Sequence, residues 1–163
     1  MSSRKIEDLT EEMQELYSKF ADKMTENGLD FIITCTARTV TEQRALYAQG
    51  RQSLNTVNLL RKEAGLPPIT EKENKKKVTW TRFSKHLTDK NNPKSKAFDI
   101  ALKADIDNDG DLDVHWIIKV DVNDNEISDY QEAGEIGESV GLKWGGRFSS
   151  PDYVHFEYNE EGK

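Results

Sequence analysis

The sequence has one cysteine, three histidines and four prolines in 163 residues, and no long hydrophobic run. The single Cys35 excludes an internal disulfide and any cysteine-rich zinc site. It sits in FIITCT, a strand-like run, and reads as a buried structural thiol rather than a nucleophile. Nothing approaches the ~18 consecutive apolar residues of a membrane span, so no membrane insertion is expected. The opening MSSRKIEDLTEE lacks the apolar centre of a secretory signal, so synthesis in a cytoplasm without signal-directed export is expected. Positive charge is also short. The net charge of −7 argues against general nucleic-acid binding, which needs a basic face to meet phosphates. Lysines crowd into residues 72–96, read here as a solvated loop, while acids cluster in 105–135.

What remains is a polar but foldable chain, 35% hydrophobic and 33% charged, of a length that suits one domain with a real core. Leu9, Met13, Leu16, Tyr17, Phe20 and Met24 recur at helical spacing, with Thr10 as N-cap and Gly28 as stop, predicting a helix over 9–27. Residues 31–36 read as a buried strand. A second helix starts at Thr41 and closes at Gly50. A short one ends at Gly65, before a loop marked by Pro67, Pro68 and the lysines. Strands are predicted at 97–102, 114–120 and 153–158, and a helix over 129–140 ending at Gly141. Helices and strands mix without strict alternation, so the fold class is α+β.

With histidine so scarce, its placement matters. His86 precedes AFDIAL, in which Asp99 stands between Phe98 and Ile100. His155 lies in the apolar run YVHFEY. A carboxylate among apolar neighbours needs a partner, because burying it alone is expensive. If His86, Asp99 and His155 converge, they form a three-ligand zinc set with a fourth position open to solvent. Such an ion polarises a carbonyl and brings the pKa of its water towards ~7. Asp152, three residues before His155, could then move the proton. Taken singly, a histidine reads as an ordinary core or surface residue rather than a ligand. The third, His115, reads as structural.

The acidic region offers two partial calcium loops. In DIDNDGDLD, Asp105, Asp107, Asp109 and Gly110 match the first half of the pattern, but Trp116 stands where the bidentate acid belongs. In DVNDNEISDYQE, Asp121, Asn123, Asn125, Asp129 and Glu132 fall at ligand positions, but Glu126 replaces the turn glycine. The alternative is a pair of acidic turns.

In order along the chain, SKH, AFDI and GLKWGGRFSSPDYVHFEY resemble the zinc peptidases that cut the peptide stems of peptidoglycan. Nearest in pattern are the L-alanyl-D-glutamate endopeptidases, which include many phage endolysins and are related to D-alanyl-D-alanine carboxypeptidases. TCTARTVTEQRALYAQGR is similar to the N-terminal segment of that family. The resemblance implies a single peptidase domain over 1–163, with a small antiparallel sheet, packed helices and zinc in a surface cleft (Hedgehog/D-alanyl-D-alanine peptidase-like). It implies His86, Asp99 and His155 as zinc ligands and Asp152 as the catalytic acid/base. Arg38 would bind a stem carboxylate or the developing oxyanion, unless it is a helix-flanking surface residue. Ser84 would contact substrate or orient the site, and Gln43 would contact substrate, although Gln43 reads rather as an exposed helix residue. Some phage members have a calcium-responsive loop, which favours the Asp121 candidate within the acidic region 105–132.

The expected function is hydrolysis of the L-alanyl-D-glutamate bond as an endolysin, monomeric and helped to the wall by a holin-type permeabilising partner. The alternatives are D-alanyl-D-alanine carboxypeptidase activity or a non-enzymatic, calcium-dependent wall-binding module. Two departures from the family stand out. The interval from His86 to Asp99 is longer than usual, which implies an inserted loop at 88–96. Val154 stands where proline is usual.

Overall fold

The computed structural model describes residues 2–161. Helix α1 (Glu11–Glu26) begins where Thr10, extended, accepts the Met13 amide at 3.3 Å. Glu11 and Glu12 meet the positive helix end. Its Met13, Phe20 and Met24 are buried. Strand β1 (Asp30–Cys35) follows, then the two-residue β2 (Arg38–Thr39) and helix α2 (Val40–Ala48). The cap of α2 is Thr39, which takes the Glu42 amide at 3.1 Å, so this helix starts earlier than Thr41. Helix α3 (Leu54–Glu63) is capped by Ser53.

The lysine-rich stretch carries a single 3-10 turn, Glu73–Lys75. Amides rather than apolar side chains tie it down. Asn74 accepts from Gly50 N and donates to Gln52 O, and Gln49 donates to Glu73 O. Beyond it lie β3 (Leu87–Thr88), β4 (Ala97–Ala104), β5 (Asp113–His115), α4 (Asp129–Val140), β6 (Leu142–Trp144) and β7 (His155–Tyr158). Gly141 ends α4 with φ of 106°, a left-handed cap that glycine takes without strain.

The fold is α+β. One antiparallel sheet runs β1-β4-β7-β6, with β5 paired to the far end of β4, and β2 and β3 form a separate parallel pair. On β4, Phe98, Ile100 and Leu102 point to one face and join Phe20, Met24, Tyr130, Trp144 and Phe156 in the main core under α1 and α4. Burial of these side chains at ~25 cal/mol per Å² is the main force holding the sheet to the helices. The alternate residues, Asp99 among them, face the other way. A smaller cluster of Ala45, Ala48, Val57 and Leu60 joins α2 to α3. Among the described residues no helix is long and apolar enough to cross a membrane.

The strand expected over 114–120 is a correction. Only Asp113–His115 pairs, opposite Leu102–Ala104, and the chain then turns away as Ile117 N donates to the His115 ring at 3.2 Å. Trp116 and Ile117 are left exposed. Strand β6 and the β2–β3 pair had no sequence signal, being two or three residues long.

Candidate active site

Sheet register assembles the site. Asp99 lies opposite Cys35 on β1 and opposite His155 on β7, so their side chains share a face. His86 arrives from the loop before β3, fixed when Arg38 N donates to His86 O at 2.8 Å. Ser84 shapes that turn by accepting the His86 amide at 3.1 Å.

Three ligand atoms converge. Asp99 Oδ1 is 3.1 Å from His86 Nε2 and 3.0 Å from His155 Nδ1, and the two nitrogens are 3.2 Å apart. The outer nitrogens are held as well. His86 Nδ1 meets Thr36 O at 2.8 Å, and His155 Nε2 meets Glu157 Oε1 at 2.8 Å. A carbonyl and a carboxylate only accept, so both outer nitrogens carry the proton. Two imidazole lone pairs and a carboxylate then face one another, an arrangement that calls for a cation. Ligands ~2.0–2.1 Å from a tetrahedral ion stand about 3.3 Å apart, close to the spacings seen. The residues therefore fit zinc, with outer-shell partners that fix each tautomer.

The electrostatics of the metal-free site agree. Burial alone would push the His86 imidazole down, but its bonds to Asp99 and Cys35 and the Asp99 charge outweigh this and raise it to about 10. Burial opposes His155 in the same way, and its bonds to Asp99 and Glu157 carry it to about 9. Burial pushes Asp99 up, yet hydrogen bonds and charge from the two imidazoles hold it well below the usual carboxylate range. The raised imidazoles and the lowered carboxylate mark a cluster that favours positive charge at its centre.

Asp152 lies at the edge of this cluster. A carboxylate oxygen of Asp152 and ligand atoms of Asp99 and His155 all lie within 4.8 Å of one another. The residue is open to solvent, but the cleft walls desolvate its carboxyl. This, reinforced by the Asp99 charge, raises its pKa. The turn that places it explains the Trp-Gly-Gly sequence. Gly145 O accepts both Phe148 N at 3.1 Å and Asp152 N at 2.8 Å. A Cβ on Gly145 would collide with the Asp152 carbonyl and come within 3.0 Å of His155 Cβ.

Arg38 lines the cleft, half-buried. It donates to Ser2 Oγ (3.2 Å), Gln43 Oε1 (2.8 Å) and Cys35 Sγ (3.7 Å). Gln43 is a correction to the exposed reading, being 1% exposed. Its amide donates to Thr79 Oγ1 and Thr81 O at 3.2 and 2.6 Å, so it links Arg38 to the opposite wall. Ser84 also lines the cleft.

Two neighbours of the site were not among its expected residues. Cys35, read as structural, is indeed buried, but its Sγ lies 3.7 Å from His86 Nδ1. Glu157 was missed. Its spacing of two from His155 on a strand puts both on one face, a signal present in the sequence.

The acidic loops behave differently. Asp121 accepts the amides of Asn125 and Glu126, Asn123 bonds Glu132, and Asp129 is buried and accepts Val122 N. These side chains hydrogen-bond the loop's own backbone and one another. Asp105, Asp107 and Asp109 do bring ligand atoms within 4.8 Å of one another, at an exposed turn. His115 is buried outside the cleft lining.

A family model described as D-alanyl-D-alanine carboxypeptidase matches residues 77–158, half of the chain, and spans His86, Asp99, Asp152 and His155. The chain belongs to this peptidase family. The peptidoglycan L-alanyl-D-glutamate endopeptidase CwlK of Bacillus subtilis (strain 168) is 31% identical over 131 residues, covering 80% of this chain. The match covers 61% of that relative's length. Membership of the peptidase family accords with the two imidazoles and one carboxylate gathered in an open cleft.

Proposed function

We propose that the protein is a zinc peptidase that hydrolyses peptidoglycan stem peptides at the L-alanyl-D-glutamate bond. The observation that carries this reading is the convergence of His86 Nε2, His155 Nδ1 and Asp99 Oδ1 within 3.0–3.2 Å beside Asp152. The similarity to CwlK supports the choice of bond.

His86, Asp99 and His155 would hold the ion. Zinc supplies Lewis acidity towards the scissile carbonyl and makes water acidic enough to deprotonate near neutral pH. Asp152 accepts the proton of the attacking water and returns it to the leaving amine. Its raised pKa brings it nearer the working range for both transfers. Arg38 presents positive charge to a stem carboxylate or to the carbonyl oxygen as charge develops there. Gln43 holds the Arg38 guanidinium in place, and Ser84 holds the His86 turn.

The test is digestion of purified peptidoglycan by protein carrying stoichiometric zinc, with muropeptides read by mass spectrometry. New amino termini on D-glutamate support the reading. A digest that releases no new amino termini sinks it. The family description favours a second reading, D-alanyl-D-alanine carboxypeptidase, which the same spectra separate as loss of a single alanine. The finer role, a monomeric phage-type endolysin that reaches the wall through a holin-type partner, requires turbidity loss on permeabilised cells.

A further inference from the structure

The cleft extends well past the three converging side chains. Its volume, about 940 Å³, exceeds what the two residues flanking one scissile bond fill, and residues 78–84 form part of its wall. Among the described residues, Val78, Trp80 and Phe83 are the large hydrophobic side chains that both line the cleft and stand exposed. Trp80 is 71% exposed and Phe83 84%. Single exposed apolar residues need no explanation, but a group on one cleft wall marks a binding surface. The strap that carries them is fixed from below. Gln43 bonds Thr79 and Thr81, and Arg51 donates to Thr79 O at 3.0 Å. Lys77 and Arg51 lie 5.5 and 5.9 Å from the Trp80 ring.

We infer that Trp80 and Phe83 are a stacking platform for a pyranose ring of the glycan strand, adjoining the peptide site. The inference rests on the peptidoglycan reading above. Stem residues are small or charged and offer methyl groups and carboxylates. The flat, extended C–H faces in this polymer belong to its sugars, and such faces suit the electron-rich face of an aromatic ring. L-alanine is the stem residue joined to the sugar through its lactyl group. Cleavage after it places the sugar within about two residue lengths, the alanine and the lactyl group, ~7 Å of chain, of the scissile bond, inside the same cleft. The cations beside Trp80 suit the carboxylates that the stem carries nearby.

The experiment compares kcat/KM for a disaccharide-linked stem peptide with that for the same stem peptide free. Wild-type protein should prefer the sugar-linked form by roughly tenfold, the size of one aromatic contact. Trp80→Ala and Phe83→Ala should bring the ratio towards one, and Trp80→Tyr should keep most of it. A wild-type ratio near one, or a ratio unmoved in the double alanine variant, overturns the platform. If wild-type protein cuts neither substrate, the peptidase reading fails instead. The platform is then decided by the peptide-free disaccharide. A saturable shift of the Trp80 indole N–H resonance, assigned with Trp80→Phe, supports it, and no shift overturns it.

Discussion

Asp99 and His155 stand opposite each other across the β4–β7 ladder, with Oδ1 and Nδ1 3.0 Å apart. The ladder hydrogen bonds hold this pair together, and His86 closes the cluster from a loop. Under the proposed function, ligation and proton transfer fall on different residues. His155→Ala should lose zinc and turnover together, with affinity dropping by more than the ~10–100-fold typical of an outer-shell change. Asp152→Asn should keep zinc and lose ~10²–10⁴-fold in kcat. Zinc content by atomic absorption beside turnover separates the two. Loss of zinc from Asp152→Asn would contradict the assignment.

Glu157 should govern which nitrogen His155 offers. Its carboxylate holds Nε2–H at 2.8 Å and leaves Nδ1 to face Asp99. Glu157→Gln can present its amide N–H to that nitrogen and favour the wrong tautomer. Zinc affinity should fall ~10–100-fold while the fold persists. Competition with a fluorescent chelator measures it. An unchanged dissociation constant would show that Glu157 serves only the strand.

Zinc held by His86, Asp99 and His155 would have to displace protons. In the metal-free protein His86 titrates at about 10 and His155 at about 9, both above the ordinary 6.5. Raised imidazole values stabilise the metal-free fold below pH 6.5, and that contribution is lost as pH climbs through 9–10. Zinc needs the deprotonated nitrogens, so its affinity should rise over the same interval. Calorimetry at pH 7 in two buffers of different ionisation enthalpy should show proton release. Melting of chelator-treated protein should weaken from pH 6.5 to 10. Zinc binding without proton release would refute the raised values.

Much of this site was legible because its residue types are scarce. The strand and helix periods placed α1, β1, β4 and α4 to within a few residues. Asp99 among apolar neighbours announced a buried partner. Pairing register is not encoded locally, so the opposition of Asp99 to both Cys35 and His155 could not be read in advance. Gln43 misled for a related reason. The partners of its amide nitrogen, Thr79 and Thr81, lie 36 and 38 residues away, and without them that N–H group would be buried unpaired. Residues 116–120 have strand composition, but β4 offers β5 only its last residues.

Gly141 and Gly145 should respond differently to alanine. Gly141 has φ of 106° and caps α4, with Leu16 at 3.7 Å from the place a Cβ would take. Alanine there is strained but sterically accommodated. It should cost about 1 kcal/mol in stability and leave zinc affinity unchanged. Gly145 lacks space rather than conformational freedom, because its Cβ would strike the Asp152 carbonyl and crowd His155. Gly145→Ala must push the Asp152 turn outward, moving Asp152 and His155 together. Turnover should fall at least as far as in Asp152→Asn, and zinc affinity should weaken as well. Thermal melts alongside zinc titration compare the pair. If Gly141→Ala lost zinc while Gly145→Ala kept both zinc and turnover, the close approach of Gly145 to Asp152 would have no part in building the site.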